Sequence, residues 1–309
     1  MDYPHEPVLL REVIQTLITV PGGIYVDGTV GSGGHSEAIG HRISGEGRLI
    51  CLDTDAFAVR LSRERLSFLG EKVTVIRSSY SDLGFILKDQ GLTGVNGILL
   101  DLGLSSYQLD QSGRGFSFNR DEPLDMRMDT EKSMTAGQLL MDLSPKALKK
   151  ILREYGEEKK AGLIVKTIER ERKKDRIDSS LKLARLIQGV VHPSRRSKHP
   201  ATRTFQALRM AVNNELENLR DFLDKVPDLL KEGGRLVILS YHSLEDRMVK
   251  QAMAKWEKAC ICPPDLPACV CGRRPLFRRI NRKGIKPGDQ EIMRNPRARS
   301  AMCRAAERI

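Results

Sequence analysis

The chain has 309 residues, 52 Lys and Arg against 40 Asp and Glu, and a formal net charge of +12. Its 40% hydrophobic content suffices for a core and excludes wholesale disorder. No apolar run approaches a bilayer span, and Met1–Pro7 carries neither a basic nor an apolar leader region, so a soluble cytoplasmic protein without membrane contact is expected.

The first hundred residues alternate strand and helix signals. Ile24–Asp27 is a short β-branched run closed by a Gly-rich turn, and Ala38–Ile43 resembles the middle of a helix. Arg48–Asp53 is the next strand, followed by a helix from Asp55 to about Leu69. Val73–Ile76 and Gly97–Asp101 are further strands, with a helix around Leu83–Gln90 between them. Continuous apolar strands alternating with helices indicate a mostly parallel sheet covered on both faces. Residues 110–207 carry no convincing buried strand; Pro145–Tyr155, Ala161–Arg172 and Leu181–Val191 are amphipathic and charged. A helix from about Asn213 to Leu230, ended by Gly233-Gly234, leads into a fifth strand at Arg235–Ser240. The expected architecture is a Rossmann-like α/β sheet domain, residues 1–109 with 208–309, interrupted after its fourth strand by an all-helical insertion, residues 110–207.

Open parallel sheets bind ligands beyond the carboxyl ends of their strands. There the first strand runs into Asp27-Gly28-Thr29-Val30-Gly31-Ser32-Gly33-Gly34-His35, a turn whose glycines let the backbone approach a ligand. Asp53 closes the second strand, placed to accept both hydroxyls of a ribose or else to cap the next helix, a role Asp55 can also fill. The loop departs from the dinucleotide fingerprint G-x-G-x-x-G. An acid beside the ligand would repel a pyrophosphate but suits the ammonium and sulfonium of S-adenosyl-L-methionine, so the methyl donor is preferred. The fourth strand ends in Asp101, followed by Ser105 and Ser106. An exocyclic base amine is a poor nucleophile, and acceptors on its N–H groups restore lone-pair character and aim it. Ser105 and Ser106 are candidates for that catalytic role, against a plain hydrogen-bonded turn.

Charge is unevenly spread. Lys146–Arg203 carries net +11 and Gly272–Ile309 net +9, leaving net −8 elsewhere. In the second segment Arg273-Arg274, Arg278-Arg279 and Arg282-Lys283 alternate with Leu276, Phe277 and Ile280, a composition that suits phosphate contact and base stacking. Between α/β body and this segment lie Cys260, Cys262, Cys269 and Cys271, set among prolines. They suit a structural zinc ion or stand as reduced thiols in a stiff loop.

The chain resembles the small-subunit ribosomal RNA methyltransferase H family, also called the MraW family. The blocks that carry the resemblance run in order over nearly the whole chain. They are His5–Leu10, Asp27–Ser36, Gly97–Asp110, Arg114–Phe118, Pro123–Asp129, Tyr155–Glu158, Lys198–Arg209, His242–Arg247 and Asn295–Ser300. The resemblance implies a class I S-adenosylmethionine-dependent methyltransferase sheet. It also implies methylation of the N4 amine of cytidine 1402 of 16S rRNA, within the assembled or nearly assembled 30S subunit. Carried onto matching positions, the donor site is Gly33, Gly34, His35, Asp53, Tyr80, Asp101 and Gln108. The insertion then recognises substrate, with Arg114–Asp129 helping to form the cytidine pocket. His199 and His242 fall at the catalytic end of the expected topology, with a structural role favoured for each. Other enzymes on the same sheet, a DNA amino-methyltransferase or a nicotinamide oxidoreductase, and an RNA-binding assembly factor acting by occupancy are the competing readings.

Overall fold

The computed structural model describes residues 7–192, 199–260, 262 and 270–309. His5, Glu6, Lys198 and Cys269 of the sequence reading lie outside the described residues. In chain order come α1 (Leu10–Leu17), β1 (Ile24–Asp27), α2 (Gly34–Gly40), β2 (Arg48–Asp53), α3 (Ala56–Arg65), β3 (Val73–Arg77), α4 (Leu83–Asp89) and β4 (Val95–Asp101). Six helices follow: α5 (Ser106–Asp110), α6 (Ala136–Asp142), α7 (Pro145–Glu154), α8 (Ala161–Arg172), α9 (Ser180–Gln188) and α10 (Thr202–Asn213). Then come α11 (Glu215–Leu229), β5 (Leu230–Ser240), α12 (Ser243–Glu257), β6 (Phe277–Arg279), α13 (Asp289–Arg294) and β7 (Met302–Arg308). Among the described residues no helix is long and apolar enough to cross a membrane.

Two compact units result, Met1–Gly103 with Glu217–Ile309, and Leu104–Leu216. The first holds a seven-stranded sheet ordered β3-β2-β1-β4-β5-β7-β6. Strands β1 to β5 are parallel, and β7 runs antiparallel between β5 and β6. Both faces are covered, so the central strands are apolar at successive positions. Ile98 and Leu100 of β4 join Ile50, Leu52, Leu236 and Ile238 on one face, packed against Phe222 of α11 and Val249 and Met253 of α12. Leu99 joins Tyr25, Leu49, Val237 and Leu239 on the other, packed against Val13, Ile14 and Leu17 of α1 and Ile39 of α2.

Among its described residues the second unit has helices and loops and no strand, only an isolated bridge between Pro123 and Ser179. Leu139, Leu148, Leu152, Ile164, Ile168, Leu183, Ile187 and Leu208 form its core. Arg172, at the end of α8, donates to the carbonyls of Leu140, Met141 and Leu143, which closes the orphaned end of α6. Many other basic residues of this unit are exposed, among them Lys146, Lys150, Arg153, Lys166, Arg170 and Arg185.

Several local expectations are corrected. The helix expected over Ala38–Ile43 is the earlier α2, which stops at Gly40, where a side chain would strike Leu69 Cδ1 at 2.6 Å. The expected helix to Leu69 stops at Arg65 and gives way to a 3-10 turn, Ser67–Lys72. The helix expected from about Asn213 to Leu230 is α11, Glu215–Leu229, which starts just after Asn214, whose left-handed conformation (φ 55°) ends α10. Gly233-Gly234 does not end α11; it lies inside the β5 segment. The Arg-rich stretch supplies β6 and β7. Arg304 of β7 is 7% exposed and pairs bidentately with Asp246 of α12 at 2.6 and 3.1 Å. Arg279 pairs with Glu257, and Arg278 with Glu307.

Candidate active site

Strands β2, β1 and β4 are neighbours, and each ends in a carboxylate: Asp53, Asp27 and Asp101. Asp27 is 1% exposed. It accepts the Ser36 hydroxyl at 2.6 Å and the Thr29 backbone N–H at 3.1 Å, and burial raises its pKa. It braces the glycine loop from beneath. Asp27, the leading acid that the sequence reading placed beside the donor, is thus buried and engaged by the loop's own donors.

Asp53 Oδ2 accepts the Gly31 N–H and Oδ1 the Asp55 N–H, both at 2.9 Å. Asp55, not Asp53, caps α3, its side chain accepting the Phe57 N–H. Each Asp53 oxygen keeps a lone pair for a further donor. Burial pushes its carboxyl up to about 6, against the two N–H bonds that favour the charged form.

The loop itself turns on glycine. Gly33 precedes α2 at φ 83°, a conformation costly for a side chain, and a Cβ on Gly34 would lie 2.5 Å from Pro7 Cγ. His35 follows in the first turn of α2, 6% exposed. Its Nε2 lies 3.0 Å from the Val8 carbonyl, an acceptor, so Nε2 carries the proton. Burial lowers the His35 pKa and leaves the ring neutral, with Nδ1 bare. Nδ1 faces Asp101 Oδ2 at 3.6 Å. Two acceptors side by side at that spacing suit one cationic N–H donor shared between them.

Asp101 is fixed from two sides. Its backbone N–H donates to Thr29 Oγ1 at 2.6 Å, and its Oδ1 accepts the Tyr241 hydroxyl at 2.7 Å. Burial, then the charge of Asp101, raises the Tyr241 pKa, so the phenol stays a donor. The sequence reading missed Tyr241. The signal was available: Tyr241 directly follows β5, the parallel neighbour of β4, so both strand ends open on the same side. Tyr80 begins a 3-10 turn after β3 and packs edge-on against Phe222, with ring centroids 5.6 Å apart. Its Cβ lies 3.0 Å from where a Cβ on Gly28 would sit, which places it beside the glycine loop.

The remaining candidates belong to the helical unit. Ser105 is the N-cap of α5 and forms a reciprocal capping box with Gln108. Its hydroxyl accepts the Gln108 N–H at 3.2 Å, and Gln108 Oε1 accepts the Ser105 N–H at 3.1 Å. Gln108 is buried, while Ser106, the first residue of α5, is half-buried. Arg114 donates to the carbonyls of Arg127 and Met128, and Arg127 pairs bidentately with Asp125, so Arg114–Asp129 is a self-braced loop. Asn213 of α10 pins it through Met128 N–H and the Met126 carbonyl, both at 2.8 Å. His199 stacks on Phe118, ring centroids 4.2 Å apart. His242, in the sheet unit, caps α12.

The model of the MraW methylase family matches residues 2–309. The chain belongs to the MraW methylase family. It is 48% identical over 307 residues to the ribosomal RNA small subunit methyltransferase H of Syntrophus aciditrophicus, covering 99% of this chain and 98% of that one. It is 45% identical over 312 residues to the protein of the same name from Heliobacterium modesticaldum, covering all of both chains. Membership of the MraW family spans both units.

Proposed function

We propose that this chain transfers a methyl group from S-adenosyl-L-methionine to the N4 amine of cytidine 1402 of 16S rRNA, in the cytoplasm, with the 30S subunit as substrate. The observation that carries the reading is the set of acceptors at the ends of β2 and β4: Asp53 with two open lone pairs, and Asp101 beside the bare His35 Nδ1. A ribose and an ammonium fit them, and a pyrophosphate does not. The donor supplies an activated methyl on a sulfonium, which leaves as a neutral thioether and needs no general acid.

In this reading Asp53 orients the ribose and Tyr80 lies against the adenine. Asp101, held by Tyr241 and Thr29, and His35 take the ammonium, while Gly33 and Gly34 let the backbone come close. Gln108, fixed by the capping box, is the donor contact expected from the helical unit. Ser106 and the carbonyls of its loop accept from the cytidine amine. Ser105 already accepts a backbone N–H, so it serves chiefly to hold the turn. The amine loses its proton to solvent after transfer. The helical unit recognises rRNA: Arg170 and Arg185 are exposed and line, with Lys182, Asp121 and Glu171, a cleft of about 560 Å3 between α8 and α9. The cysteine cluster takes no part in transfer; as a cofactor site it holds structural zinc.

The test is a transfer assay with labelled donor and three acceptors: small subunits lacking the modification, naked rRNA and duplex DNA. Nucleosides are identified by mass spectrometry after digestion. N4-methylcytidine from subunits alone is the expected result. Transfer to DNA, or tight binding of donor and subunits without transfer, refutes the reading.

A further inference from the structure

The connection between α12 and β6 is closed at its base. Leu276 N–H donates to the Trp256 carbonyl at 2.8 Å, the Trp256 and Phe277 rings lie 4.8 Å apart, and Arg273 donates to the Lys255 carbonyl at 2.9 Å. Just beyond this closure three cysteines converge. Cys260, Cys262 and Cys271 place their sulfurs within 4.8 Å of one another, and Cys260 Sγ lies 3.8 Å from Cys271 Sγ.

We propose that Cys260, Cys262 and Cys271 hold one zinc ion that fastens the end of α12 to the start of β6. Tetrahedral zinc with Zn–S bonds of about 2.3 Å sets its sulfurs about 3.8 Å apart, the spacing of Cys260 and Cys271. A disulfide needs about 2.0 Å, so the pair is not a distorted one. A second feature points the same way: the Cys262 N–H points at Cys260 Sγ at 3.4 Å. A backbone donor of this kind stabilises the negative sulfur of a ligating thiolate. Gly272, directly after Cys271, adopts φ 58°, which turns the backbone sharply away behind the ligand. Soft thiolates in a tetrahedral arrangement select zinc over the hard cations. Cys269 lies outside the described residues, and the fourth coordination position belongs to a ligand beyond the trio. The site is independent of the methyl-transfer reading.

The experiment measures metal in the full-length protein, purified from zinc-supplemented culture without chelator. About one zinc per chain is expected by plasma mass spectrometry. The variants C260S and C271S should each fall below about a fifth of that. C51S and C303S, which alter buried cysteines outside the trio, should keep it. A measurement on the wild type covers the case in which the serine variants misfold. Titration with a mercurial should release zinc in step with thiol blocking, and cobalt reconstitution should give the visible absorption of a tetrahedral thiolate site. A reconstituted wild type holding less than about a fifth of an equivalent, or zinc retained in folded C260S, overturns the proposal.

Discussion

Asp53→Asn isolates the proposed ribose contact. In the wild type each carboxylate oxygen holds one backbone N–H at 2.9 Å and has one lone pair left. Two ribose hydroxyls on those lone pairs are charge-assisted bonds, each contributing about 1.5–3 kcal/mol. The amide removes one acceptor and the charge on the other, so a loss of about 3 kcal/mol, or roughly a hundredfold in Kd, is expected. The pH dependence sharpens the test. Burial holds the Asp53 carboxyl at about 6 in the free protein, and only its ionised form accepts both hydroxyls. Affinity for donor should therefore be full above pH 7 and fall as pH drops through 6, about tenfold weaker by pH 5. Binding in turn lowers the Asp53 pKa. In Asp53→Asn this component of the pH dependence disappears. For folding the sign is opposite. A carboxyl raised from 3.8 to about 6 favours the folded state at low pH, and that contribution is lost as pH rises through 6. Titration calorimetry from pH 7.5 to 5 measures the binding side. A flat wild-type profile, or an Asp53→Asn affinity within twofold of wild type, refutes the assignment.

Tyr241→Phe removes one bond to Asp101, and donor Kd should rise about fivefold to tenfold with the melting temperature nearly unchanged, as calorimetry and a thermal melt would show. Ser105→Ala should lose about 1 kcal/mol of stability through its helix cap yet retain transfer, whereas Ser106→Ala should lower kcat about tenfold; denaturant melts beside single-turnover assays separate the two. Arg304→Met leaves Asp246 without its bidentate partner and should cost about 3 kcal/mol in denaturant unfolding, where an arm outside the fold would show no change. Replacing Lys150, Arg153, Lys166 and Arg170 by Gln should weaken subunit binding and flatten its salt dependence, while an unchanged salt slope would remove the α7–α8 face from the RNA contact.

The carboxyl ends of β1, β2 and β4 were legible because each is a buried run stopping at an acid, and parallel topology turns such ends into a site. The hydrophobic pattern could not say which acid looks outward. Asp27 leads the glycine loop in sequence, yet Ser36, nine residues on, folds back to cover it. Strand β7 reads Met-Cys-Arg-Ala-Ala-Glu-Arg, small and charged residues without a β-branched side chain. It is a strand because β5 and β6 pair with it on both sides, a long-range cause that local propensity does not contain. Counting arginines in the same stretch could not reveal that Arg279, Arg304 and Arg278 have acidic partners within the fold, Glu257, Asp246 and Glu307.

The place of β7 bears on how the chain is made. It follows every other strand in order of synthesis, yet it fills the gap between β5 and β6. Until it emerges, β5 presents an unpaired edge with Val237 and Leu239 on it, the kind of edge that recruits foreign strands. The Leu9 backbone N–H likewise waits for Glu291, 282 residues downstream. A nascent chain of this design can complete its helical unit from nearby residues while its sheet stays open. The interval before β7 arrives is when protection by a chaperone matters most, and slowing translation beyond Ser240 should raise aggregation.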